Sequence, residues 1–71
     1  MVTSSELEIG ARVVTADGKQ IGTVKEIGGD SFKVERKLFP GYWLANEYVD
    51  DVAGGIVQLI VTKEGLGAAK I

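Results

Sequence analysis

Three carboxylates stand close together in the second half of the chain, and they are the first candidates for chemistry. Glu47, Asp50 and Asp51 could ligate a cation or act as a general acid and base. A Ca²⁺ site needs about six to eight oxygen ligands from a loop that folds back on itself, and neighbouring aspartates point in different directions. An acid–base pair needs a pocket or a third group that separates the two pKa values. Neither is visible in the sequence, so we interpret the cluster as a solvated turn.

Two glycine pairs and two serines are the remaining candidates for phosphate binding or nucleophilic catalysis. Gly28-Gly29 and Gly54-Gly55 lack the preceding strand, following helix and lysine of a phosphate-binding loop, and both pairs are predicted to form hairpin turns. Ser4 and Ser5 have no histidine anywhere in the chain to activate them. The sequence therefore predicts no catalytic residue, no metal ligand and no cofactor, and we expect a protein that is not an enzyme.

A stretch that mixes positive charge with large apolar groups is the best candidate for binding. It contains Lys33, Arg36, Lys37, Leu38, Phe39, Tyr42 and Trp43. Aromatic side chains on a β surface beside lysines can stack single-stranded bases, although the chain is acidic overall and Glu35 interrupts the positive charges. Three interpretations stay open for this stretch: packing in the core and turns, a protein or dimer contact, and nucleic-acid binding.

Composition restricts the chain to a small globular class. Its 71 residues suffice for one domain, in which we expect residues 1–6 to be a flexible terminus and residues 7–71 to be folded. The core of so small a domain is marginal. Because the chain contains neither cysteine nor histidine, disulfides and the commonest metal sites cannot reinforce it. Self-association remains, and it predicts a homodimer.

Charge and hydropathy indicate where the protein works. The net charge of −2 makes attraction to nucleic-acid phosphates unexpected. No apolar run approaches the roughly 18 residues that a membrane span requires. The first six residues lack the basic start and apolar stretch of a secretion signal. We therefore expect a cytoplasmic protein with no membrane partner.

The strongest structural signal is a β-hairpin around Asp17-Gly18, which separates two runs rich in β-branched residues. It predicts strands at 11–16 and 20–27. A two-residue turn would pair Val14 with Ile21, whereas a three-residue loop with a glycine bulge would pair Val13 with Ile21. The two registers send opposite sets of side chains inward, and the sequence leaves both open.

The rest of the chain repeats this scheme of strands and tight turns. Further strands are predicted at 31–36, 41–45 and 56–61, with turns at 28–30, 39–41 and 53–55. Proline followed by glycine at Pro40-Gly41 favours a type II turn. The spacing of Tyr48, Val49 and Val52 favours a single helical turn near 46–52, because residues three apart share one face of such a turn.

The last predicted strand differs from the others because it is apolar on both faces apart from Gln58. One face can line the interior, and the other needs a helix or a second chain to cover it. Beyond this strand, Thr62 is a plausible helix cap, but Gly65 and Gly67 each weaken a helix by about 1 kcal/mol. We therefore predict a short, weak C-terminal helix.

Two blocks of this pattern resemble the PRC-barrel domain, the small β-barrel named after the photosynthetic reaction centre. The first block consists of Ile9-Gly10, Val13, Asp17-Gly18 and Ile21-Gly22-Thr23-Val24, and the second of Trp43-Leu44-Ala45, Tyr48-Val49, Val52, Val57 and Leu59. The resemblance covers about residues 7–66 and is greatest to small bacterial stand-alone versions of uncharacterised function. It implies an all-β, strongly bent barrel of about five or six strands that serves as an adaptor or assembly module for other proteins. It carries no catalytic residues.

The second block departs from the PRC-barrel pattern at one place. Leu44-Ala45 stands where the family usually has an aliphatic residue followed by proline, which affects the bend more than the fold. Adjacent strand residues point to opposite faces, and the resemblance places Leu44 inside, so Trp43 is expected to be partly exposed near Phe39 and Tyr42.

Phe39, Tyr42 and Trp43 are therefore the predicted partner-binding residues. The predicted function is a non-enzymatic protein-interaction module that binds another protein or itself as a homodimer. The alternative is a small nucleic-acid-binding β-barrel that uses the basic and aromatic stretch between Lys33 and Trp43.

Overall fold

The computed structural model describes residues 7–37 and 40–70 of the chain. They form six strands: β1 (Arg12–Val14), β2 (Gln20–Ile27), β3 (Ser31–Glu35), β4 (Tyr42–Ala45), β5 (Val49–Ala53) and β6 (Ile56–Leu59). Two 3₁₀ helices accompany them, at Asn46–Tyr48 and Glu64–Ala68. The predicted all-β class is confirmed. The predicted flexible terminus, residues 1–6, lies outside the described residues.

The six strands form one mixed sheet in the order β4-β3-β2-β1-β6-β5, with β1 and β6 parallel and all other pairs antiparallel. The two edge strands, β4 and β5, are consecutive in the chain and are joined by the three-residue 3₁₀ helix Asn46–Tyr48. The sheet must therefore curl until its edges approach each other at that end. No ladder joins β4 to β5 within the described residues, so the sheet is a curled, open one.

The C-terminal segment covers the outer edge of β4. Lys70 forms an isolated antiparallel bridge with Leu44, and the Ala45 N–H donates to the Ala69 carbonyl at 3.1 Å. This pairing occupies backbone groups that an edge strand would otherwise leave open to another chain. It also brings residues 63–70 beside the ends of β2 and β3, where these residues line a hollow.

The first hairpin combines a three-residue loop with a bulge. The Thr15 N–H donates to the Lys19 carbonyl at 2.9 Å, and Val14 pairs with Gln20, as a three-residue loop requires. The register then shifts, so that Val13 pairs with Gly22 instead of Ile21. Neither register considered from the sequence describes the whole hairpin, because the extra residue is accommodated within β2.

The stretch predicted to hold a single helical turn divides into a 3₁₀ helix and a fifth strand. Asn46–Tyr48 is helical as predicted, but Val49–Ala53 is β5, which the sequence interpretation missed. Val49 pairs with Leu59 and Val52 with Val57, and a bulge lies between Val49 and Asp51. The bulge inserts one residue and lets both valines face the interior, which produces a three-residue spacing without a helix.

Gly22 and Gly41 permit close approach of the backbone beneath the end of β3. A Cβ on Gly41 would lie 2.5 Å from the Val34 carbonyl oxygen, and a Cβ on Gly22 would lie 2.6 Å from Val34 Cγ1 and still closer to the Glu35 carbonyl oxygen. Gly41 is not among the glycines with positive φ, so the predicted type II turn with Gly41 as its third residue is wrong. Glycine is needed at position 41 because a Cβ there would clash with the Val34 carbonyl oxygen.

The interior of the curled sheet holds one apolar cluster. Its buried members are Leu7, Ala11, Val13, Val24, Phe32, Val34, Leu44, Val49, Val57, Leu59, Leu66 and Ala69. Leu66 and Ala69 belong to the C-terminal segment, in which the predicted short, weak helix is a 3₁₀ helix at Glu64–Ala68. The Thr62 hydroxyl accepts a hydrogen bond from the Gly65 N–H at 3.2 Å, so Thr62 holds the start of this segment.

Candidate functional site

The predicted partner-binding residues do not share one surface. Tyr42 pairs with Val34 and faces the inner side of the sheet at its rim, whereas Trp43 pairs with Lys33 on the outer side. Phe39 lies outside the described residues. Because Tyr42 and Trp43 point to opposite faces of β4, they cannot form a single stacking platform for consecutive bases.

Trp43 lies half-buried on the outer face, as expected, and its neighbour Leu44 is fully buried. A Cβ on Gly28 would lie 3.4 Å from the Cζ3 atom of the Trp43 ring, so the ring packs against the turn that precedes β3. Across the strand from Trp43, Lys33 Nζ lies 3.8 Å from a carboxylate oxygen of Glu26. Trp43 therefore presents only part of its ring to a partner.

Tyr42 is flanked by two cations. The guanidinium carbon of Arg36 lies 5.0 Å from the centre of the Tyr42 ring, and Lys70 Nζ lies 4.4 Å from it, both within cation–π range. Arg36 follows β3, on one side of β4, and the backbone of Lys70 pairs on the other side of β4. Burial raises the pKa of Tyr42, and the charge of Arg36 opposes that rise.

A hollow of about 550 Å³ opens beside Tyr42, and we call it the basic groove. It is lined by Gln20, Ile21, Arg36, Lys37, Tyr42, Lys63, Glu64, Leu66, Gly67 and Lys70. Buried or half-buried apolar groups come from Ile21, Tyr42 and Leu66, whereas the lysines are exposed. The arrangement joins an apolar floor to positively charged walls, which suits a ligand that is both anionic and apolar.

A second surface lies on the outer side of β6. Val57 and Leu59 point inward and are fully buried or nearly so, while Ile56, Gln58 and Ile60 alternate with them and point outward. The Gln58 amide donates to the Thr15 carbonyl at 2.8 Å. Ile56 is 38% exposed and Ile60 is 55% exposed. We call the surface formed by Ile56, Gln58 and Ile60 the outer β6 face.

The tip of the first hairpin carries a polar network of structural character. The buried Thr15 hydroxyl donates to the carboxylate of Asp17, and this hydrogen bond lowers the pKa of Asp17. Lys19 Nζ lies 3.8 Å from the same carboxylate and lowers its pKa further. These contacts fix the loop that connects β1 to β2, and they leave Asp17 ionised rather than poised to exchange protons near neutral pH.

None of the three carboxylates considered from the sequence lines the basic groove, and Asp51 flanks the outer β6 face through its pairing with Gln58. Glu47, Asp50 and Asp51 are all exposed. Within residues 7–37 and 40–70, no group of three or more carboxylates lies close enough to hold a metal ion. None of the helices in the described part of the chain is long and apolar enough to span a membrane.

Sequence reasoning missed the contribution of the C-terminal segment to the basic groove. Lys63 and Lys70 are separated from Arg36 and Lys37 by more than a third of the chain, and no local pattern connects them. The only available signal was the apolar Leu66, which lies between the two lysines and is buried against the core. Its burial draws the flanking lysines towards β4.

Comparison with known proteins assigns a family without assigning a role. No curated protein and no solved structure gave a significant match to the chain. A family described as uncharacterised and conserved in bacteria, DUF2171, matches residues 8–66, which includes all six strands. The chain therefore belongs to the DUF2171 family of bacterial proteins.

Proposed function

We propose that this protein is a non-enzymatic interaction module that works as a homodimer through the outer β6 face. The observation that carries the proposal is the exposure of Ile56, at 38%, on strand β6 and of Ile60, at 55%, directly after it. The inward residues of this strand, Val57 and Leu59, belong to the buried core. The exposed side chains of Ile56 and Ile60 leave apolar surface in contact with water, and a second sheet packed on them would cover that surface. A second copy of the chain is the simplest source of that sheet.

The charges around the outer β6 face favour self-association. Arg12 of β1 pairs with Ile56 on one side of the face, and Asp51 of β5 pairs with Gln58 on the other side. A two-fold axis parallel to β6 exchanges the β1 side of one copy with the β5 side of the other. Arg12 of each copy then faces the strand that carries Asp51 in its partner, so the same surface is complementary to itself.

Two further observations support a module without catalysis. The chain contains no histidine or cysteine, and its neighbouring carboxylates at Glu47, Asp50 and Asp51 stand exposed to water instead of in a pocket. The resemblance to PRC-barrel domains supports an adaptor role, and the six curled strands agree with the five or six strands expected from it. On this proposal the protein works inside the bacterial cytoplasm.

The proposal is tested by the mass of the protein in solution. Light scattering coupled to size exclusion should report two chains for the wild type at micromolar concentration. Ile60→Glu should shift the mass towards one chain, because the carboxylate would be buried without a partner in the dimer. The matched control is Ile9→Glu, since Ile9 is 63% exposed in the turn before β1 and does not belong to the outer β6 face. That variant should remain dimeric.

Three outcomes would contradict the proposal. The first is a wild-type protein that stays a monomer at all concentrations tested, and the second is an equal loss of mass in both isoleucine variants. The third is a dimer that survives Ile60→Glu but dissociates in Trp43→Ala, which would move the interface to the outer face of β4.

A further inference from the structure

The basic groove concentrates positive charge on a chain whose net charge is −2. Four of the eight Lys and Arg residues line it, namely Arg36, Lys37, Lys63 and Lys70, and one carboxylate, Glu64, lies among them. Three lysines elsewhere, Lys19, Lys25 and Lys33, lie within 3.8 Å of the carboxylates of Asp17, Glu35 and Glu26. The rest of the described surface is net acidic, with four Lys and Arg residues against eight Asp and Glu residues, whereas the groove carries an excess of cations.

Two of the groove cations are held in place by the protein. Arg36 Nε and Nη2 each lie 3.4 Å from the Pro40 carbonyl oxygen, and the guanidinium also lies over the Tyr42 ring. Lys70 is anchored through its backbone to Leu44 and through its ammonium group to the same ring. Arg36 and Lys70 therefore lose little additional side-chain entropy when a ligand binds, and this entropy loss is a main cost of an exposed ion pair.

The shape and composition of the groove narrow the class of ligand. The cations that flank Tyr42 occupy the positions over its ring that a nucleic-acid base would need for stacking. The floor formed by Ile21, Tyr42 and Leu66 offers apolar contact, which a bare phosphate or a sugar–phosphate backbone cannot use. A peptide with carboxylates on both sides of an apolar side chain uses the floor and the walls together.

We propose that the basic groove binds an acidic peptide segment of a partner protein. The apolar side chain of the segment lies on the floor beside Tyr42 and Leu66. The carboxylates of the segment pair with Arg36 and Lys70, which the protein holds in place, and with Lys37 and Lys63 at the rim. This site is separate from the outer β6 face, so the inference does not depend on the proposed dimer.

The test is an NMR titration of the full chain with a capped peptide of sequence Glu-Asp-Phe-Asp-Glu. Backbone amide signals of Tyr42, Leu66 and Lys70 should shift with peptide concentration, and affinity should fall as salt is raised because the ion pairs are exposed. A peptide of the same length with Gln-Asn-Phe-Asn-Gln should bind at least about fivefold more weakly, as expected for the loss of several partly exposed ion pairs.

Substitutions in the chain separate the groove from general charge attraction. Lys63→Gln should weaken binding of the acidic peptide about two- to fivefold. Glu64→Gln should strengthen binding by a similar factor, because it removes the carboxylate that repels the ligand. The matched control is Lys33→Gln, which changes the net charge equally on the outer side of the sheet and should leave the affinity unchanged. All three positions are on the surface of the fold or half-exposed.

Several results would overturn the proposal. One is an acidic peptide that binds no better than its amide counterpart, and another is a control variant, Lys33→Gln, that weakens binding as much as Lys63→Gln. A short single-stranded oligonucleotide of mixed sequence that shifts the same amides at lower concentration than the peptide would favour nucleic-acid binding instead. Inorganic phosphate that competes with the peptide at equal concentration would reduce the site to a general anion site.

Discussion

Gly22→Ala tests the close approach of β2 to β3, on which the position of Arg36 and Lys37 depends. A Cβ at position 22 would lie 2.6 Å from Val34 Cγ1 and closer still to the Glu35 carbonyl oxygen. Carbon atoms in contact prefer a separation of about 3.5–4.0 Å. The end of β3 would therefore have to move by roughly 1 Å, at a place where the strands are connected by their hydrogen-bond ladder.

The cost of this displacement should be large relative to the stability of so small a domain. Overpacking typically costs about 1–3 kcal/mol, and a 71-residue chain is expected to have a free energy of unfolding of roughly 4–11 kcal/mol. Each kcal/mol lowers the melting temperature of a domain of this size by about 4–8 °C. Gly22→Ala should therefore melt roughly 5–20 °C below the wild type.

The assay is thermal and urea unfolding followed by circular dichroism and by the fluorescence of Trp43, the sole tryptophan. Wild type and variants are compared at one protein concentration, because association shifts the transition. Gly29→Ala is the matched control, since a Cβ there meets no atom within 4 Å and φ is not positive. It should be neutral or stabilising by up to about 1 kcal/mol. Equal melting temperatures of Gly22→Ala and Gly29→Ala would refute the close approach of β2 to β3.

Three further predictions concern single side chains. Leu44→Ala should lower the free energy of unfolding by about 3–5 kcal/mol because the side chain is fully buried. Trp43→Ala should lower it by less than the ~3–5 kcal/mol expected for a buried aromatic, because the ring is half-buried. Urea unfolding compares the two variants, and a Trp43→Ala variant that does not fold would place the ring in the core. Thr15→Val should raise the pKa of Asp17 because it removes the hydroxyl hydrogen bond, and NMR titration of the carboxyl would show the rise. In the wild type, the lowered pKa of Asp17 contributes stability that is lost as the pH falls through that pKa. The variant should have less of this contribution. Tyr42 should ionise above the ordinary value of 10.0 because burial raises its pKa, so its contribution to stability should be lost as the pH rises past that value; tyrosinate absorbance measured alongside unfolding would test this.

The hairpin turns at Gly18 and Gly54-Gly55 and the third strand followed from the sequence because their causes are local. Gly18, Gly54 and Gly55 all have positive φ, at 82°, 60° and 75°, as tight hairpin turns require. The alternation in Ser31–Glu35 places Phe32 and Val34 inside, as its period of two residues predicts. Each of these features depends on neighbouring residues, so a reader of the sequence needs no knowledge of the partner strand.

The positions of the bulges depend on the pairing between strands, which the sequence of one strand does not reveal. Val49 and Val52 face inward in β5 because an extra residue lies between Val49 and Asp51, and the pairing of β2 with β3 shifts in the same way between Val24 and Glu26. From the sequence, a three-residue apolar spacing is equally compatible with a helical turn. The partner strands β6 and β3 select the bulged alternative, and the apolar spacing within a single strand does not specify that pairing.

The candidate site likewise combines features that the sequence predicted with features that only the tertiary structure determined. The sequence identified the basic and aromatic stretch, and the alternation rule separated Trp43 from its buried neighbour Leu44. Only the tertiary structure placed Tyr42 on the inner rim and brought Lys63 and Lys70 beside Arg36. The physical reason is that the C-terminal segment is held by the burial of Leu66 and Ala69 and by its bridge to β4, which are long-range interactions without a local sequence signal.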